Sequence, residues 1–195
     1  MFYKRINDKS LWAIFCLLIF TIFADVYGLY TFYLDISNIL AFNVFLIIET
    51  SLLYYFFFQL FLTRLIKQLL IFLFCFFLLF WTVEFFNYGT KQFLFYGAIF
   101  ENITVLAFII YFYYEQLIKF NSTLIYYQSR FWVVSAYLVY IAGTFFLLLF
   151  MTSLNSKDQV KYYVLNYVFV IIRTILLSIA MFVRNNEGKN KFKIT

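Results

Sequence analysis

Proline and histidine are absent from this 195-residue chain, glycine occurs five times, cysteine twice, and only 12% of the residues are charged. Each scarcity removes a class of chemistry or architecture. Without histidine there is no His-ligated haem or zinc, no Ser-His-Asp machinery and no Cys-His pair. Without proline, and with only Gly28, Gly97 and Gly143 inside apolar stretches, the helix breaks through which many transporters expose backbone to substrate have few places to form. Cys16 and Cys75 both fall in apolar stretches, where a thiol behaves as a small hydrophobe, so no disulfide framework is expected. HExxH, Walker A and GxGxxG patterns are missing, and no lysine lies in the interior of an apolar stretch to carry retinal, Lys67 standing at the edge of one. Neither an enzyme, nor a cofactor, nor a bound metal is expected.

What the chain has instead is 66% hydrophobic and 27% aromatic residues, with a mean hydropathy of +0.90. A soluble domain carries about 45 to 50% apolar and about 25% charged residues, so this composition belongs to a membrane protein. A transmembrane barrel would alternate apolar and polar positions, whereas Leu69 to Trp81 is apolar throughout. The expected fold is all-α: a polytopic membrane protein forming one domain over residues 1–195, a bundle of six transmembrane helices. Apolar stretches at 11–33, 38–62, 66–86, 92–114, 131–154 and 162–183 are each long enough to cross about 30 Å of hydrocarbon. Leu11 to Phe23 resembles the apolar core of a signal peptide, but no small-residue cleavage site follows and the apolar run resumes from Val26 to Leu34.

Lysine and arginine set the expected orientation. With the N-terminus inside, Lys4, Arg5, Lys9, Arg64, Lys67, Lys119, Arg130, Arg184, Lys189, Lys191 and Lys193 are cytoplasmic, and only Lys91, Lys157 and Lys161 lie outside. Both termini are therefore expected in the cytoplasm, and the chain in a bacterial inner membrane. The net charge of +6 reads as topology and contact with lipid headgroups, not as a nucleic-acid surface. Tyr27, Tyr30, Tyr33, Tyr88, Tyr162 and Tyr163 fit an outer aromatic belt, and Tyr54, Tyr55, Tyr111 to Tyr114 and Trp132 an inner one. The longest loop, Glu115 to Arg130, mixes Tyr126 and Tyr127 with polar residues and is too short for a catalytic domain. Glu84 and Glu115 fall near helix ends and read as interfacial.

Four charges interrupt the apolar stretches well away from their ends: Asp25, Glu49, Glu101 and Arg173. A charge in hydrocarbon costs about 2.5 to 3.5 kcal/mol on insertion scales, so each requires a partner or a purpose. Counted from the outer end of each stretch at about 1.5 Å per residue, Asp25 lies roughly 12 Å down, Glu101 about 14 Å, and Glu49 and Arg173 about 16 Å. The four form one expected layer. Thr21 and Gly28 share a helix face with Asp25, Gly97 and Thr104 with Glu101, and Asn166 precedes Arg173 by one heptad. Such stripes face other helices. Pairing of Arg173 with the acids would lock the bundle; the excess of acids would leave a proton-responsive group, or a cation or polar-ligand site. Glu101 with Arg173 is the expected core pair.

Several short motifs are similar to those of a family of six- or seven-helix integral membrane proteins of about 200 residues, common in Bacteroidota and often encoded near signalling genes. These are Asp25-Val-Tyr-Gly28, Asn43-Val-Phe45 with Glu49, then Phe131-Trp132 with Tyr140 and Gly143, and Asn166 opening the last helix. The pattern expects glycine where this chain has Ala136 and glutamate where it has Asp25. Arg173 has no counterpart in it. The resemblance implies architecture and no established activity.

The leading expectation is a non-catalytic sensory or regulatory membrane module that acts through the charged layer and contacts with a protein partner or a second copy. An oligomeric channel or pore, such as an accessory membrane effector of a bacterial defence system, is the alternative, with acids lining a cation path. A proton-coupled transporter is the third reading, set back by the scarcity of helix-breaking residues.

Overall fold

The computed structural model describes residues 9–34, 36–89, 91–118, 128–151 and 156–183. Among these there are six helices and no strand: α1 (Lys9–Tyr33), α2 (Ile39–Leu60), α3 (Arg64–Tyr88), α4 (Phe95–Ile118), α5 (Ser129–Met151) and α6 (Ser156–Phe182). The fold is all-α. Among the described residues, five helices are long and apolar enough to cross a membrane: Lys9–Thr31, Ile39–Leu60, Arg64–Tyr88, Phe95–Ile118 and Leu165–Phe182. Only a helix satisfies every backbone N–H and C=O internally along such a segment, so apolarity and helix coincide.

The helices overrun or stop short of the apolar stretches by a few residues. α3 starts at Arg64 and α6 at Ser156, ahead of the apolar limits 66 and 162, because backbone bonding continues through polar residues once a helix is nucleated. Lys4, Arg5, Lys119, Tyr126, Tyr127, Arg184, Lys189, Lys191 and Lys193 lie outside the described residues, as do the side chains of Lys157, Lys161, Tyr162 and Tyr163.

The chain divides into two compact units, Met1–Val105 and Leu106–Thr195. In the first, α2 is central. Its buried residues Asn43, Leu46, Thr50, Leu53, Phe57 and Leu60 alternate three and four apart, the spacing that keeps one stripe against neighbouring helices. α1 meets it through Phe20 and Phe45, whose rings stack at 5.7 Å. α3 meets it through Tyr54 and Phe74, with centroids 5.2 Å apart. Phe100 at the start of α4 packs on Phe76 and Phe80 of α3 at 5.6 and 5.7 Å. α3 itself buries only Leu70 and Phe77, and its remaining apolar surface suits lipid.

The second unit is built on α5 and α6. Ser129 at the start of α5 donates a hydrogen bond to the carbonyl of Val183 just past the end of α6 (3.0 Å). The two helices therefore run antiparallel. Midway along, a Cβ placed on Gly143 would run into the Phe169 ring, so a glycine is what allows α6 to approach α5 this closely. Tyr113 of α4 joins them through a hydroxyl contact with Ser135 (2.8 Å).

Candidate functional site

Hydroxyl groups in these helices satisfy themselves. Thr21, Thr50, Thr82, Thr144, Thr174 and Ser178 each donate to the carbonyl four residues earlier, at 2.6 to 2.9 Å. That back-bonding removes the cost of a hydroxyl in an apolar helix without any partner helix. A polar stripe alone is thus weak evidence of a site, and the groups that reach across helices carry the information.

In the first unit, Glu49 and Glu101 are both buried, at 7% exposure each. Beside Glu101, the Tyr54 hydroxyl donates to Thr104 Oγ1 at 2.9 Å. Thr104 can direct its single proton to the carbonyl of Phe100 or of Glu101, both at 2.9 Å. Tyr54 is 3% exposed and within electrostatic reach of Glu101. It belongs to the core and not to an aromatic belt. Asp25 stands apart, on an exposed part of α1, although Thr21 one turn earlier is buried. From Ile22 onward α1 is largely exposed, and a shared helical face does not guarantee a shared environment when the neighbours cover only part of a helix.

Two residues not counted in the charged layer reach across helices through several bonds. Asn43 is fully buried. Its Nδ2 donates to the carbonyls of Gly89 (2.9 Å) and Gln92 (3.1 Å), and its Oδ1 accepts from the Leu94 N–H at 3.1 Å. Its own carbonyl also accepts from Trp81 Nε1 at 3.1 Å. One amide side chain therefore holds the whole turn between α3 and α4. Glu84 completes the work: its carboxylate accepts from the N–H of Tyr96 at 3.2 Å and of Gly97 at 3.0 Å. These are first-turn amides that a helix cannot satisfy internally, and a negative charge there also complements the helix dipole. Glu84 caps a helix other than its own. The local sequence carries no sign of this, because a local cap is read from the residue immediately before the helix, and here that residue is Leu94.

In the second unit, Arg173 is 2% exposed. Its guanidinium carbon lies 4.2 Å from the centroid of the Tyr140 ring and 5.6 Å from that of Tyr137. Tyr137 is itself buried. A guanidinium is planar and weakly hydrated, and a desolvated cation against an aromatic face gains about 2 kcal/mol. Tyr137 and Tyr140 are three residues apart on α5 and so share the face turned to Arg173. The resemblance drew notice to Tyr140 but assigned it no partner. Asn166, one heptad before Arg173, is half-buried.

No family model, no curated protein and no solved structure matches this chain. The site must be judged on its chemistry. Of the expected layer, Glu49, Glu101 and Thr104 belong to the first unit and are buried, Arg173 is buried in the second, and Asp25 is exposed. Among the described residues there is no group of His, Cys, Asp and Glu able to hold a metal ion. What the arrangement offers is a buried carboxylate, Glu101, beside the Tyr54 and Thr104 hydroxyls in one unit, and a buried cation against two tyrosine rings in the other.

Proposed function

We propose that this chain is a multi-pass module of a bacterial inner membrane that senses a ligand or physical state, or regulates a partner, and performs no catalysis. It crosses the membrane six times with both termini in the cytoplasm, and it acts on a protein partner or a second copy of itself. The observation carrying this reading is the burial of Glu49, Glu101 and Arg173 within long apolar helices. Ionisable groups at such depth are costly and mark functional positions. The uninterrupted course of α1 to α6 weighs against a transporter that opens broken helices around a substrate.

The test pairs a deletion strain with mild-detergent purification of the chain cross-linked in cells. A phenotype on deletion, and a cross-linked partner or dimer whose yield changes in Glu101→Gln or Arg173→Leu, is the expected result. No partner and no phenotype would remove the reading. A channel is the second reading, favoured by acids on three helices of the first unit, one of them, Asp25, exposed on α1. Cation flux through proteoliposomes that falls in Glu49→Gln and Glu101→Gln would establish it, and flux indifferent to both would discard it.

A further inference from the structure

α1 is covered along its first half and largely open along its second. Ala13, Ile14 and Leu17 are buried, whereas Ile22, Val26 and Leu29 are 59 to 61% exposed. Asp25 lies among the latter and is itself exposed. It stands six residues, or about 9 Å of helix rise, inside the end of the apolar segment Lys9–Thr31. A carboxylate has two oxygens and about four acceptor sites, so bonding within its own chain still leaves capacity on the exposed side. Lipid tails supply no donor for it.

Beside Asp25 the helix is notched. Gly28, three residues on and so on a neighbouring part of the same face, lines a crevice of about 20 Å³ with Ala24 of α1 and with Asn38, Ala41 and Phe42 from the start of α2. Pockets for free ligands run from about 300 to 1,000 Å³, so this one has room for a side-chain tip and no more. A glycine inside a helix is usually explained by a neighbour that its Cβ would strike, as Phe169 explains Gly143. At Gly28 a Cβ would meet nothing within 4 Å. Glycine costs about 1 kcal/mol relative to alanine in a helix interior, and among the described residues no contact requires it here. Small residues of this kind let the backbone of another helix approach closely in a membrane.

We infer that the exposed half of α1 is a docking surface for a transmembrane helix of another protein, one that carries a lysine or arginine at the depth of Asp25. Asp25 pairs with that cation, and Gly28 admits the approaching backbone. Charge decides the occupant. Within the five long apolar segments the only cation away from the ends is Arg173, and it is 2% exposed. A second copy of the chain therefore brings Asp25 no cation at its depth, and a two-fold contact about Gly28 would set one Asp25 against another. A basic residue of a different chain meets the acid without that repulsion, because charges within a membrane pair with one another. The inference gives the partner of the regulatory reading above a chemistry and a place, and it rests on that reading.

The experiment uses the full chain in its own cell membrane, with a photo-cross-linking residue placed at Ile22 or Leu29 on either side of Asp25. A probe at Phe72, 65% exposed on α3, serves as the reference, and cross-linked peptides are identified by mass spectrometry. The α1 probes should capture a transmembrane peptide of another protein that contains lysine or arginine. In Asp25→Asn the yield should fall by about tenfold or more, and Asp25→Glu should recover it. Asp25→Lys combined with an acid in place of the partner's basic residue should restore the adduct as well. If Asp25→Asn lowers the amount of chain in the membrane, Gly28→Leu decides: it fills the notch at a position where a Cβ meets open space, a fall in yield supports the docking surface, and an unchanged yield overturns it. Adducts only with a second copy, with a segment lacking lysine and arginine, or with no protein at all overturn it too, as does a yield indifferent to Asp25→Asn. A partner captured only from Phe72 removes this surface and leaves the wider regulatory reading standing.

Discussion

The two units surround their buried polar side chains with different groups. In the first, an amide and a carboxylate are matched to backbone groups: Asn43 to Gly89, Gln92 and Leu94, and Glu84 to Tyr96 and Gly97. In the second, the Arg173 guanidinium lies against the ring faces of Tyr140 and Tyr137. Hydrogen bonds to backbone are directional and sensitive to a single missing atom, whereas ring faces accept a cation over a range of positions. The first unit should therefore respond sharply to isosteric changes and the second to changes of shape.

The most damaging change should be Asn43→Leu. It keeps the branching at Cγ but strands two carbonyls and one N–H, each worth about 1 to 3 kcal/mol when left without a bond. Water at the turn will recover part of this, and a loss of about 3 kcal/mol is expected, read by denaturant titration in micelles. A loss well under 1 kcal/mol would mean that the turn is not held by directional bonds.

Gly143→Ala comes next, because the new methyl meets the Phe169 ring. Overpacking of this kind costs about 1 to 3 kcal/mol. The same titration should show destabilisation that Phe169→Leu partly relieves in the double variant. Additive losses would indicate that α5 and α6 do not meet there.

Arg173→Lys tests the ring-face account directly. Charge is retained, but the planar group that stacks on Tyr140 is lost, and about 1 kcal/mol should go with it. If lysine matches arginine, charge alone is what the rings hold. The smallest effect belongs to Tyr54→Phe. It removes the proton donated to Thr104 but leaves the Thr104 hydroxyl bonded to its own helix, so about 0.5 to 1 kcal/mol is expected. An infrared shift of the Glu101 carboxyl in the same variant would tie Tyr54 to that acid, and an unmoved band would separate them.

Much of the helical architecture could be read from residue order, since long apolar runs admit only helices in lipid. Burial of Glu49, Glu101 and Arg173 follows the same logic, because each lies deep in a long apolar run. The functions of Asn43 and Glu84 were hidden for a definite reason. Glu84 bonds residues 12 and 13 positions away, and Asn43 bonds residues 46 to 51 positions away. No helical or strand period connects such positions; only the return of the chain through the turn after α3 does. Tyr54 was misassigned for a related reason. Proximity to a helix end suggested an aromatic belt, and the decision between lipid surface and core was made by Thr104 on α4.

Asp25 shows the limit of periodicity from the other side. Its face is correctly shared with Thr21, yet Thr21 is covered and Asp25 is not, because α1 is packed along only part of its length. Hydropathy by itself dictated a helical membrane protein with a handful of costly charges, since the burial of backbone polar groups leaves no other solution in hydrocarbon. Tertiary structure alone decided which polar group each helix presents to which neighbour. That choice depends on where each turn reverses the chain and how closely a glycine such as Gly143 lets two helices approach.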